Sequence, residues 1–291
     1  MNQDRLAALV ETRAHRPAAI AEAAARRARP AGPLGEHGKL MVIAADHPAR
    51  GALGAGDRPL AMADRLDLLD RLCTALARPG VNGVLGTSDI LEDLLLLGAL
   101  DGKVVIGSMN RGGLAGAVFE MDDRFTGYDA ATIEAMRFDG GKTLTRIDYA
   151  DPASVDTLEA TAKAVTDLAS RELLAMVEPF ISRRVDGKVR NVLTTDAVIK
   201  AAAIAAGLGS TSAYTWLKLP VVEDMERVMA ATTLPVVILG GEVHSDQAAV
   251  FARWRKALAC PTARGLAVGR SLLYPPDDDV VSAVDAAVAL L

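Results

Sequence analysis

A chain of 291 residues, 51% hydrophobic and 24% charged, is long enough for two ordinary domains or for one α/β barrel of roughly 250 residues. Its net charge of -5, with acids and bases interspersed, excludes the basic face of a nucleic-acid-binding protein and makes a small molecule the expected ligand. Apolar runs such as ILEDLLLLGAL are short and carry charges, so no membrane span is expected, and two distant cysteines, Cys73 and Cys260, read as buried thiols of a cytoplasmic protein.

Residues 1–38 read as an N-terminal helical extension. The segment RAHRPAAIAEAAARRARP is Arg- and Ala-rich, but Asp4, Glu11 and Glu22 interrupt the pattern of a transit peptide and favour an amphipathic helix. From residue 39 to 291, β-rich runs alternate with helix-like stretches: KLMVIAA, GVNGVLG, KVVIGSM, KTLTRID, ELLAMVEPF, SAYTWLKL, LPVVILGG and RGLAVGRS. Helical patterns fill the gaps, among them PLAMADRLDLLDRLCTALARP and DPASVDTLEATAKAVTDLASRE, the second with Asp151 at the N-cap and Pro152 at the first helical position. No Pro/Gly/Ser-rich linker divides the run, and no G-x-G-x-x-G turn follows the first strand, so a TIM (β/α)8 barrel is expected over a doubly wound open sheet.

In such a barrel the chemistry sits where strands end. Those positions are Asp46 and His47 after the first strand, Thr87 and Ser88 after the second, and Asn110 and Arg111 after the third. Arg146 and Asp148 lie on the fourth, Glu178 ends the fifth and Lys218 the sixth. Gly240, Gly241 and Glu242 follow the seventh, and Gly269, Arg270 and Ser271 the eighth.

Lys218 is the expected nucleophile. Side chains alternate along a strand, so Tyr214, Trp216 and Lys218 share one face, and an amine held over aromatic rings in a poorly solvated mouth loses its proton more readily. A neutral amine attacks a carbonyl, and the resulting iminium lets an adjacent C–C bond break or form. The bland alternative is a solvated lysine paired with Glu223 or Asp224. Asp46 and Glu178 are the two acid/base candidates, and the apolar AMVEPF context predicts a raised Glu178 pKa. The paired glycines after strand seven, with Gly269 and Arg270 after strand eight, read as a phosphate cradle. Arg111 and Arg146 are candidates for a substrate carboxylate or second phosphate. No metal is expected: of four histidines, His15 and His37 fall in the extension, leaving His47, His244, Glu178 and Glu242 as the set a metal-dependent alternative would use.

The series AADHP, LLAMVEP, the strand-six lysine, PVVILGGE and AVGRSLLY resembles the class I aldolase superfamily of deoxyribose-phosphate aldolases and archaeal-type fructose-bisphosphate aldolases, across most of residues 40 to 275. The resemblance implies a Schiff base on Lys218 without a cofactor, proton transfer by Asp46, and phosphate binding by Gly240, Gly241, Gly269 and Arg270. His47 and Trp216 complete the expected substrate contacts. The strand-five motif departs from the archaeal-type enzymes: Met176 and Glu178 stand where those have an aromatic residue and a tyrosine. That departure speaks against fructose 1,6-bisphosphate as substrate. The run GGKTLTRIDYADP also resembles aldolases related to tagatose-bisphosphate aldolase and the inositol-catabolic phosphogluconate aldolase. It makes Lys142 either a second active-site lysine or, since it precedes the predicted strand, a residue of the barrel floor. The expected partner is a small phosphorylated carbonyl compound, 5-dehydro-2-deoxy-6-phosphogluconate first and deoxyribose 5-phosphate next. A noncatalytic sugar-phosphate-binding barrel is the other alternative. The apolar C-terminal VVSAVDAAVALL packs on its own barrel or on a second copy in a homo-oligomer.

Overall fold

The computed structural model describes residues 1–35 and 38–291; His37, assigned above to the extension, lies outside them. Two helices, α1 (Gln3–His15) and α2 (Ala19–Arg26), precede the first strand. Then follow β1 (Leu40–Ala44), α3 (Arg65–Leu76), β2 (Gly83–Gly86), α4 (Ser88–Leu96), β3 (Val104–Ser108), α5 (Ala130–Ala135), β4 (Gly140–Ile147), α6 (Ala153–Ala169) and β5 (Leu174–Val185). The chain continues through β6 (Lys188–Asn191), α7 (Thr195–Ala206), β7 (Thr215–Leu219), α8 (Met225–Ala230), β8 (Val236–Leu239), α9 (Gln247–Leu258), β9 (Ala263–Val268), α10 (Arg270–Leu273) and α11 (Val280–Val288).

Eight of these strands run parallel, β1 beside β2, β3, β4, β5, β7, β8 and β9, and β1 pairs back to β9 to close a TIM barrel. Closure is recorded in the side-chain phase. Leu40, Val42, Ala44, Leu85, Val104, Ile106, Leu174, Met176, Val237 and Ala267 form one apolar cluster inside the barrel. Met41, Ile43, Val84, Val105, Ala175 and Val177 instead join the larger layer between strands and helices. Each strand therefore buries both faces, as a parallel sheet must.

Some boundaries move. Helix α3 begins at Arg65, not Pro59, because Asp64 accepts a hydrogen bond from the backbone N–H of Asp67 and caps it. Helix α6 begins at Ala153 with Pro152 at its N-cap, while Asp151 accepts from the Ala153 N–H.

Strand β5 is longer than the sequence suggests. Its outer part forms a hairpin with β6, in which Ser182 faces Asn191 and Arg184 faces Val189. The turn is Asp186-Gly187, both at positive φ, the backbone a two-residue type I′ hairpin requires. This hairpin stands over the mouth of the barrel and becomes one wall of the site.

The C-cap residue of α2 braces the other end. Arg27 is buried, donating to the Lys103 carbonyl at 2.8 Å and to Asp139 at 3.2 Å, where β3 and β4 begin. Helix α1 packs elsewhere: its Arg13 reaches Glu92 and Asp93 in the α4 helix that follows the C-terminal end of β2. Among the described residues no helix is long and apolar enough to cross a membrane.

Candidate functional site

The inward phase of each strand decides what its C-terminal end presents. On β1 the series Leu40, Val42, Ala44 continues to Asp46, and on β5 Leu174 and Met176 continue to Glu178 and Phe180. On β7, Trp216 is followed by Lys218, and on β4 the inward positions include Lys142 and Leu144. Four ionisable groups thus meet above the apolar barrel interior.

Lys218 Nζ donates to Glu178 Oε1 at 2.8 Å, and the other carboxylate oxygen, Oε2, takes the Lys142 ammonium. Lys142 Nζ lies 3.3 Å from Asp46 Oδ2. Asp46 in turn pairs with Arg111 and accepts from Ser108 Oγ at 3.1 Å, while Arg111 Nε donates to the same hydroxyl at 3.0 Å. The chain of contacts runs Lys218, Glu178, Lys142, Asp46, Arg111, all of it buried. It sums to three cations against two carboxylates when every group is ionised.

Two readings are corrected here. Lys142 is not a floor residue: β4 starts two residues earlier, at Gly140, and Lys142 pairs with Met176 one inward layer below Glu178, which its four-carbon stem reaches. Nor is Glu178 raised. Burial pushes its carboxyl up, but Lys142 and Lys218 outweigh burial and hold it below the usual carboxylate range. Glu178 is an ionised base, not a protonated acid. The Lys142 amine is drawn well below its ordinary value by burial first and then by the Arg111 charge. Burial also lowers Arg111, to about 10, which leaves it charged at neutral pH.

A cleft of about 1080 Å³ opens over this cluster. Lys218, Glu178, Asp46 and Arg111 line it, whereas Lys142 lies behind Glu178 and does not. His47, Gly240, Gly241, Gly269 and Arg270 line the β8–β9 side. Close packing explains two of the glycines: a Cβ at Gly269 would lie 2.2 Å from the Ala44 carbonyl oxygen, and one at Gly240 would lie 2.5 Å from Val268 Cγ1. Polar atoms without hydrogen-bond partners among the described residues gather beside them, namely Arg270 Nε, Ser271 Oγ and His47 Nδ1, which lies 3.9 Å from Asp46 Oδ1. Among the described residues the Arg270 guanidinium reaches only the Gly54 carbonyl, at 3.3 Å. Ser271, which sequence reasoning placed at a strand end without a role, is thus one of the unsatisfied donors of this corner. The His47 imidazole is held well below its ordinary pKa by burial, then by Arg270 and Lys218.

Trp216 and Arg146 are placed differently from the expectation. Trp216 shares the inward face of Lys218 but sits two residues lower, about 6.6 Å along the strand, where it packs on the interior cluster rather than lining the cleft. Arg146 does border the cleft, yet its guanidinium is spent inside the protein, 2.6 Å from Asp123 and 3.3 Å from Glu120. Glu120 also binds Arg50 at 2.9 Å, so this second cluster is neutral and pins the loop of residues 111–128 across the mouth. Among the described residues no three His, Cys, Asp or Glu side chains are grouped as metal ligands. His244 and Glu242 lie exposed in the loop after β8.

The fold has solved counterparts. Cgl0159 from Corynebacterium glutamicum is 55% identical over 100% of this chain and 97% of its own, with a TM-score of 0.97. An archaeal fructose-1,6-bisphosphate aldolase, solved with its catalytic Lys covalently bound to the carbinolamine intermediate of the substrate, is 19% identical over 93% of this chain and 98% of its own, at TM-score 0.66. A fructose-bisphosphate aldolase from Slackia heliotrinireducens is 16% identical over 87% and 85% of the two chains, at 0.62. At such identities the likeness to the two aldolases is one of fold. No curated protein matches the sequence. Residues 38–288 match the Cgl0159-like family as a whole, and the chain belongs to that family.

Proposed function

We propose that this protein is a class I aldolase acting in the cytoplasm on a phosphorylated keto sugar or sugar acid through an imine on Lys218. One observation carries the reading: Lys218 lines the cleft at the C-terminal mouth of the barrel, 2.8 Å from an ionised carboxylate that is itself backed by a second buried lysine. A structural ion pair has no use for the second amine, since desolvating each further charge is costly. A proton-transfer relay does.

The chemistry follows from that geometry. Glu178 accepts the Lys218 ammonium proton, the neutral amine attacks the substrate ketone to give a carbinolamine, and Glu178 returns the proton to the carbinolamine hydroxyl, which leaves as water to give an iminium and restores the carboxylate. Glu178, or Asp46 held by Arg111 and Ser108, then takes the proton of the hydroxyl two carbons away. The C–C bond breaks, its electron pair flows to the iminium as an enamine, and the aldehyde leaves. Protonation of the enamine and hydrolysis of the imine return Lys218. Lys142 tunes Glu178 through the shared carboxylate and passes charge toward Asp46. The fold shared with an archaeal enzyme that forms such an intermediate on a lysine supports the same chemistry. By resemblance, the favoured substrate is 5-dehydro-2-deoxy-6-phosphogluconate, with deoxyribose 5-phosphate second.

The test is borohydride reduction with phosphorylated ketones and aldehydes, read by intact mass. A reduced adduct is expected in wild type and in Lys142→Ala, and none in Lys218→Ala. An adduct that persists in Lys218→Ala, or none in wild type with any compound, would overturn the reading.

A further inference from the structure

Outside the cleft, one side of the barrel mouth keeps large apolar side chains in water. Val118 is 90% exposed and Phe119 52% in the loop of residues 111–128, Tyr149 73% and Val155 64% where β4 passes into α6, and Val185 48% at the hairpin tip. None of them lines the cleft. Arg184 joins the three segments, donating to the Val118 carbonyl at 2.6 Å and lying 3.9 Å from Asp151. Two aromatic rings and three valines at these exposures present on the order of 500 Å² of apolar surface, the upper end of what a monomer leaves uncovered. The apolar C-terminal segment is already covered: Val280, Ala283, Val284 and Ala287 of α11 are buried, and the helix packs on α3 and α10 of its own barrel.

The charge around this patch divides by segment. Alternation along the hairpin puts Arg183 and Val185 on one face with the residues opposite them, Arg190 and Lys188. On α6, Val155, Asp156 and Glu159 are exposed within about one turn of each other. The ion pairs that these two segments form are Arg184 with Asp151 and Lys163 with Asp167. Arg183, Lys188 and Arg190 on one side, and Asp156 and Glu159 on the other, are left without ionic partners among the described residues. Two arginines set directly opposite each other across a hairpin repel, and an acidic surface laid over them removes that cost.

We infer that this patch is the two-fold interface of a homodimer, in which the hairpin of each copy packs on the first turns of α6 of the other. An isologous contact needs both halves of a complementary pair side by side on one chain, and its axis exchanges them. The basic hairpin and the acidic start of α6 are such halves, each with its own exposed apolar residues. An acidic partner of another kind matches the hairpin and leaves Asp156 and Glu159 unpaired, whereas a second copy matches both. The area agrees, since a standard interface takes about 800 Å² from each partner, a little over half of it apolar. The inference does not rest on the aldolase reading. It does bear on the cleft: the loop that the second copy covers on its outer side holds Arg111 against Asp46, and Glu120 against Arg50 and Arg146, on its inner side.

The experiment is sedimentation velocity on the full chain at micromolar concentrations. Wild type is expected at twice the 30.5 kDa of one chain. Two charge-reversal variants, one carrying Arg183→Glu with Lys188→Glu and the other Asp156→Lys with Glu159→Lys, are each expected to raise the dissociation constant by about tenfold or more, because like charges then face each other at both ends of the interface. An equimolar mixture of the two is expected to recover the dimer: the reversed hairpin meets the reversed α6, and the native hairpin meets the native α6. Recovery on mixing also shows that both variants are folded. Tyr149→Asp, which leaves the basic and acidic partners in place, is expected to weaken the dimer by a similar factor through the apolar patch alone. A monomeric wild type overturns the inference, as does an assembly that the charge reversals or Tyr149→Asp leave intact, or a mixture of the two reversed variants that stays monomeric.

Discussion

Lys142 and Lys218 stand on β4 and β7, the two strands that flank β5, and each holds one oxygen of the same β5 carboxylate, Glu178. This arrangement makes Glu178→Gln the most informative single change. The amide keeps the shape but removes the base and the charge that both amines face. Turnover is expected to fall by about 10²–10⁴-fold, the usual contribution of a positioned acid/base group. Borohydride trapping in single-turnover format should slow with it yet still place the adduct on Lys218. Unchanged turnover would remove Glu178 from the proton path.

Two arginines of the cleft should behave oppositely. Arg146→Ala strips Asp123 of its buried partner and leaves Glu120 with Arg50 alone, at an expected loss of about 3–5 kcal/mol in stability. Arg270→Gln touches one carbonyl and is expected to leave the unfolding midpoint nearly unchanged while raising KM for a phosphorylated substrate. Urea unfolding and steady-state kinetics on both variants separate a structural guanidinium from a ligand-binding one.

The glycines divide in the same manner. Gly269→Ala places a methyl 2.2 Å from the Ala44 backbone carbonyl, which rigid strand backbone cannot yield, so poor expression or strong destabilisation is expected. Gly241 has φ +72 with open space around it; Gly241→Ala should fold with a penalty of about 1 kcal/mol from backbone strain alone. Equal thermal shifts in the two variants would contradict this packing argument.

His47 supplies a pH signature. Its folded pKa lies below the free imidazole value, so below about pH 6.5 the unfolded chain binds more protons than the native one and stability declines as pH falls. Glu178 acts in the same direction in a lower window: its depressed pKa stabilises above about pH 4.3 and is lost beneath it. Between pH 7.5 and 5.5, the melting temperature of wild type should drop further than that of His47→Gln. Parallel curves would show that the imidazole titrates alike in both states.

The barrel was legible because alternation and length are local signals, and all eight predicted parallel strands begin within three residues of the observed ones. The fourth was read from Lys142, and those two missing residues were enough to send its lysine to the wrong end of the barrel. The Glu178 error is of another kind. Its chain neighbours, Val177 and Pro179, are apolar, and the two amines that set its ionisation come from strands 36 residues before it and 40 after it, a distance that no local pattern spans. Arg146 likewise reads as a free strand-end cation until the loop carrying Glu120 and Asp123 is folded over it. The hairpin, by contrast, had a visible marker in Asp186-Gly187, flanked by RRV and KVR, and an Asp-Gly pair is a strong hairpin signal.

The cluster of Arg50, Glu120, Asp123 and Arg146 has a bearing on electrostatics at longer range. Two positive and two negative groups packed together act on distant ions as a multipole, whose field decays faster than that of a net charge. The loop over the mouth is thereby riveted in place without competing for an incoming anion. Attraction of such an anion then comes from the opposite rim and from the central cluster of three cations and two carboxylates, so the ionic-strength dependence of its capture reports on those groups, with Arg270 and the α9 residues Arg253 and Lys256, rather than on the charge-rich loop.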